Sequence, residues 1–151
     1  KKQDYYHINE SIEQGMAVVL FDRVATEIQC DKVIVDDFRG AYDATSLLIN
    51  KGRENILLLT TEDYINVGRL RTLGYIKAVQ DNDLLLDNHL IIKVEDTHGS
   101  DEAGPELENS IAAAFNKNNK IDGIFAVNEI FAGAALRVLR GLKKAIPKDV
   151  G

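Results

Sequence analysis

A parallel α/β fold is predicted for this 151-residue chain by three observations. Five short apolar runs recur along it, each continuous rather than alternating, as strands covered on both faces require. Segments with apolar residues at helical spacing separate those runs. No internal repeat or low-complexity linker breaks the alternation. In such a sheet, ligands bind beyond the carboxyl ends of the strands.

The first two runs are MAVVLFD at residues 16–22 and KVIVD at residues 32–36. A helix beginning near Phe38 is predicted to close at Gly52, where glycine adopts the left-handed conformation at little cost. The third run is NILLLT at residues 55–60, followed by a helix over 66–81 with Val67, Leu70, Leu73, Gly74 and Ala78 on one face. HLIIKV at residues 89–94 is the fourth run. Ala103, Leu107, Ile111, Ala114 and Phe115 then fall at helical spacing. IDGIFAV at residues 121–127 is the fifth, and Phe131, Ala134, Ala135, Val138 and Leu142 mark the last helix. With only two prolines, boundary signals are few, and residues 51–55 are the expected domain junction.

Eighteen basic against 24 acidic residues give a net charge of −6 and a pI near 5.0. That balance argues against a basic nucleic-acid surface on this segment, without excluding a DNA-binding module elsewhere. A 45% apolar content excludes disorder, and the longest apolar run, 130–136, is far short of the roughly 20 residues of a membrane span. Cys30 is the lone cysteine, which favours a reducing compartment. Lys1-Lys2 leads into polar residues, not an apolar signal segment. The chain starts without Met and stops just after a strand lead-in, so it is expected to be a piece of something longer.

Catalytic signals are lacking. His7, His89 and His98 share no metal-ligand spacing with one another or with Cys30, and neither a nucleophile elbow nor a Gly-rich phosphate loop occurs. Asp81-Asn82-Asp83 with Asp87 hints at a calcium loop but lacks its turn glycine and terminal glutamate; a solvated connection explains it. Asp36-Asp37 after VIV resembles the opening of a phospho-receiver domain. The extra strand at 55–60 and the one upstream spoil the order, and helix capping by either aspartate accounts for the pair. No catalytic residue, metal or cofactor is assigned.

Polar residues at strand ends form a better set. Asp22-Arg23 end the first run, Arg69 and Arg71 stand early in the helix after the third, and Asn128-Glu129 follow the fifth. Arginine offers a planar fork of donors, aspartate accepts from paired hydroxyls, and asparagine does both, which suits a neutral polyol. Each alone is as readily a salt bridge or a helix cap. Tyr64 reads as a surface aromatic or a stacking platform.

Taken together, AVVLFDRV, VIVDDFRGAYDATSLLINKGRENILLLT, GRLRTLGYIKAV, LLLDNHLI, IDGIFAVNEIFAGAALRVL and IPKDVG resemble, in order, the effector-binding core of lactose-repressor (LacI/GalR) family regulators. The resemblance runs from about Gly15 to Gly151. It implies the periplasmic-binding-protein fold: two parallel-sheet, three-layer lobes around a cleft, incompletely represented in this chain. Residues 1–53 would be the remainder of the N-terminal lobe and residues 54–151 most of the C-terminal lobe.

By the same resemblance, Arg71 takes the place of the effector-contacting arginine and Asn128 that of the asparagine bonded to effector hydroxyls. Asp22 and Arg23 resemble the pair that holds the sugar in related pentose-binding proteins. The family more usually has Asp where Glu129 stands, often His at Arg53, and Asp-Asn at Asp36-Asp37. Arg53 reads as a helix terminus, so that departure is expected to matter little.

The expected function is effector sensing in a cytoplasmic, homodimeric transcription regulator, not catalysis. Its partners would be a small polar effector, a sugar or derivative, and operator DNA read by an N-terminal helix-turn-helix absent from this chain. An extracytoplasmic sugar-binding protein for a transporter or chemoreceptor is the alternative.

Overall fold

The computed structural model describes residues 5–22, 24–25, 27–61, 66–94 and 103–151. Two compact units divide between Asp36 and Asp37. In the first, a short helix α1 (Tyr6–Glu13) precedes strands β1 (Val19–Phe21) and β2 (Asp31–Val33). The strands are parallel, with Val19 opposite Asp31 and Phe21 opposite Val33. Ala25 and Ile28 are buried, but Val19, Phe21, Val33, Ile34 and Val35 are all more than half exposed. Continuous apolar runs require cover on both faces, and two such strands alone are expected to leave their apolar side chains open to water. Two three-residue strands and one short helix supply too little surface to give that cover.

The second unit holds α2 (Asp37–Asn50), β3 (Ile56–Thr61), α3 (Asn66–Asp81), β4 (Ile91–Val94), α4 (Ala103–Lys117), β5 (Gly123–Ala126) and α5 (Glu129–Gly141). Its sheet is parallel in the order β4-β3-β5. All six residues of β3 are buried, as its unbroken apolar run predicts. The fourth run becomes a strand only from Ile91. His89 lies in a 3-10 turn, Asn88–Leu90, whose first amides are capped when the His89 N–H donates to Asp87 Oδ1 at 2.8 Å.

The β3-to-β4 and β4-to-β5 connections run in opposite directions across the sheet. Right-handed crossovers therefore put α3 and α4 on opposite faces. Helix α2 packs on α3, and α4 packs on α5. Tyr75 and Val79 from α3 enter the core with Leu107, Ile111 and Phe115 from α4 and Phe131, Ala134, Ala135 and Leu139 from α5.

Helix α2 is bound into the second compact unit by its packing on α3. That packing depends on Gly74. A Cβ there would meet the Phe38 carbonyl oxygen at 2.3 Å and the Ala41 Cβ at 2.9 Å. Gly52 ends α2 at φ +82°, as expected, with the Arg53 N–H donating to the Leu48 carbonyl and the Gly52 N–H to Ile49.

The carboxylates that hinted at a calcium loop have separate tasks. Asp81 accepts from Lys77 and Tyr42, Asp83 turns the chain after α3 at φ +57°, and Asp87 caps the 3-10 turn. At the other end of the sheet, Asp122 accepts from the amides of Glu54 and Asn55 at 3.0 and 2.9 Å. Arg53 donates to the carbonyls of Pro147 and Lys148, which ties residues 147–148 to the start of β3.

Gly74→Ala should destabilise the protein by about 1–3 kcal/mol, since backbone stands where the methyl would go. Gly40→Ala, with open space around it, should be neutral or stabilising by ~0.5–1 kcal/mol. Urea unfolding of both variants checks this, and a tolerated Gly74→Ala would refute the helix contact.

Tyr75 donates to the Ile56 carbonyl at 2.8 Å, and burial, seconded by the negative charge of Asp87, pushes its phenol up to about 12 from 10.0. The folded value lies above the unfolded one, so this stability is fully present below pH 10 and is lost as pH rises towards 12. A phenol held at about 12 instead of 10.0 contributes roughly 2–3 kcal/mol below that window. Unfolding free energy should fall more steeply over that window in the native protein than in Tyr75→Phe.

Candidate functional site

Strand order reverses between β3 and β5: the helix after β3 goes to one face, and that after β5 to the other. Parallel sheets bind ligands outside the carboxyl ends of the strands at such a point. Arg71, in the second turn of α3, reaches into it.

The Arg71 guanidinium joins three elements. Nε donates to Asp37 Oδ1 at 2.8 Å, and Nη2 stands 2.7 Å from the same oxygen. Nη1 donates to the carbonyl of Val127, the residue after β5. Asp37 opens α2, so its carboxylate also sits where helix amides favour negative charge. The Asp37 side chain is 7% exposed and that of Arg71 29%. The pair is therefore shielded on the Asp37 side and open to solvent on the Arg71 side. Of the five guanidinium N–H donors, three are engaged among the described residues, leaving one on each Nη for another partner.

Asn128 follows Val127 and caps α5. Its backbone is extended, at φ −151° and ψ 172°, and its Oδ1 accepts from the Phe131 N–H at 2.9 Å. The cap consumes only the amide oxygen, and the Nδ2 donors are not part of it. Glu129, in the first turn of α5, is exposed, as is Arg69.

Arg71 and Asn128 are thus brought to the same end of the second unit, as the strand-end argument expects. Asp22 is in the first unit, exposed, at φ +61°, its N–H donating to the Val33 carbonyl at 3.1 Å. Arg23, Tyr64 and His98 lie outside the described residues. Sequence reasoning missed Asp37 as the partner of Arg71. The residues are 34 apart, and the only available signal was a carboxylate at the head of a helix that had been given a capping role. Among the described residues, no group of three or more His, Cys, Asp or Glu side chains is placed to hold a metal ion, and no helix is long and apolar enough to cross a membrane.

Residues 2–151 match the family model described as periplasmic binding proteins and sugar binding domain of LacI family. A regulator from Clostridium saccharobutylicum named HTH-type transcriptional regulator RegA is 32% identical over 123 residues, covering 78% of this chain and 34% of its own length. The crystal structure of a LacI-family regulatory protein from Chloroflexus aggregans superposes with a TM-score of 0.81 at 22% identity, over 99% of this chain and 53% of that one. A LacI-family regulator from Enterococcus faecium with bound ribose gives a TM-score of 0.76 at 28% identity, covering 97% of this chain and 52% of that one. The chain spans about a third to two fifths of the length of the curated relatives it matches. The α/β sheet architecture is that of periplasmic-binding-protein-like regulator cores.

Arg71→Ala would leave the Asp37 carboxylate buried without its cation, and we expect a loss of about 1–3 kcal/mol. Adding Asp37→Asn should restore part of it. A double-mutant cycle by urea unfolding checks this; strictly additive losses would show that the two side chains are not coupled.

Proposed function

From the premise that the chain belongs to the family of periplasmic binding proteins and sugar-binding domains of LacI regulators, we propose that it is the effector-sensing core of a transcription regulator. The ligand is a small polar molecule, a sugar or a sugar derivative. The observation that carries this reading is the Arg71 guanidinium. It is fixed on one edge by Asp37 and Val127, partly open to solvent on the other, and it stands where a parallel sheet binds ligands. Support also comes from the solved relative that holds ribose.

In this reading Arg71 and the Asn128 amide donate to ligand hydroxyls, and Asp22 and Arg23 are further ligand contacts. Effector favours one closure of the lobes, and that difference in affinity is what shifts the affinity for operator DNA. The DNA is read by a helix-turn-helix outside this chain, in a cytoplasmic homodimer whose symmetry matches a two-fold operator. The regulator reading is preferred to an extracytoplasmic sugar-binding protein because the relatives carry names of HTH-type regulators. The same names point away from catalysis.

The full-length protein, titrated calorimetrically with a panel of neutral sugars including ribose, should bind at least one of them. Losing two hydrogen bonds from a charged donor, at roughly 1.5–3 kcal/mol each, should weaken that binding ~100-fold or more in Arg71→Ala. Arg71→Lys should recover little, since a point charge cannot copy the fork. Arg69→Ala, two residues along and about 200° round the helix, should change affinity little. An unchanged Arg71→Ala, or an equal loss in Arg69→Ala, would overturn the assignment.

A further inference from the structure

The proposed function leaves the charge of the ligand open, since an arginine fork serves a diol, a carboxylate or a phosphate equally well. The structure narrows this choice. Both Nε and Nη2 of Arg71 lie on a single oxygen of Asp37, and that carboxylate is 93% shielded from water. The cation at the strand ends is therefore already neutralised by a fixed anion a hydrogen bond away. One two-donor edge of the guanidinium, Nε with Nη2, is the edge that Asp37 occupies. What remains outward is one N–H on each Nη. Glu129 adds a further carboxylate in the first turn of α5, next to Asn128.

We infer that Asp37 is a specificity-determining positioning residue: by neutralising and orienting Arg71 it makes the site select a neutral polyhydroxy ligand and reject an anionic one. The inference rests on the reading of Arg71 as a ligand contact. An uncharged hydroxyl pair can accept the two outward N–H groups without meeting net charge. A carboxylate or phosphate at the same place would bring a second anion to a guanidinium whose charge is already answered by Asp37. Asp37 acts through Arg71 and need not touch the ligand.

The probe is inorganic phosphate, titrated by calorimetry into the full-length protein, which requires no knowledge of the natural effector. Asp37→Asn keeps the shape and removes the charge. It should bind phosphate at least ~10-fold more tightly than the native protein, a difference of about 1.4 kcal/mol. The gain should vanish in Asp37→Asn/Arg71→Ala, and Asp37→Glu, which keeps the carboxylate, should stay as weak as native. A purely structural role for Asp37 would not create an Arg71-dependent anion site.

Equal phosphate binding by native and Asp37→Asn proteins, or a gain that survives removal of Arg71, would overturn the inference. Should Asp37→Asn not fold, Asp37→Ser is read in its place. The native protein also decides the matter alone, because phosphate binding that Arg71→Ala abolishes would refute neutralisation. Failure of every neutral sugar to bind would count against sugar sensing and leave the phosphate result standing. Equal phosphate binding would remove the role of Asp37 and leave sugar sensing intact.

Discussion

Strand β3 has no face or edge open to water: all six of its residues are buried, and it is paired on both sides. A strand so placed can only exist if helices cover both faces of the sheet, and right-handed crossovers meet that demand by sending α3 and α4 to opposite sides. The same reversal opens the crevice between the carboxyl ends of β3 and β5. The position of the candidate site is therefore a consequence of how the core is covered, and Arg71 is where it is because α3 is the helix that covers one face of β3.

A guanidinium whose inner edge lies against buried groups must be hydrogen-bonded there, and the buried carboxylate beside it needs a cation. The contacts of Arg71 with Asp37 and the Val127 carbonyl meet both demands, and they join the heads of α2 and α5 to the second turn of α3. Gly74 makes the same α2–α3 contact from the packing side by letting backbone approach backbone. Polar and apolar contacts thus fix one helix pair, and the result is that α2 belongs with the residues after it and not with the strands before it.

Most of the second unit was legible in the sequence. Unbroken apolar runs located β3 and β5, helical spacing located α3, α4 and α5, and Gly52 stopped α2 in the left-handed conformation. Position relative to those strands put Arg71 and Asn128 among the strand-end polar residues, with Asp22, Arg23, Arg69 and Glu129, and the family resemblance gave those two their ligand roles. What escaped were facts of tertiary contact. The packing of α2 on α3 is one, since the helix end at Gly52 does not say which neighbour a helix packs on. The Asp37–Arg71 pair spans 34 residues and has no periodicity to betray it. Helix α1 carries too few apolar residues to announce itself, and none of its residues is buried. The runs around β1 and β2 have the composition of covered strands, yet composition reports the cover a strand is built for, not the cover it has.

Both ligand-facing candidates in the second unit are also structural. Asn128 gives its amide oxygen to the α5 cap, and Arg71 gives one edge of its fork to Asp37. In each case the structural bond uses part of the group's hydrogen-bonding capacity and fixes the direction of the rest. An arginine free to sample its rotamers would lose roughly 2 kcal/mol of side-chain entropy on binding a ligand. Here that loss is largely incurred on folding, so a ligand meets donors already aimed. The arrangement also couples the two roles. Any substitution that frees Arg71 from Asp37 changes its charge balance and its orientation together, and affinity measured on such a variant reports both. Selectivity between neutral and anionic ligands separates them, because orientation affects every ligand that uses the fork, whereas charge balance discriminates among them.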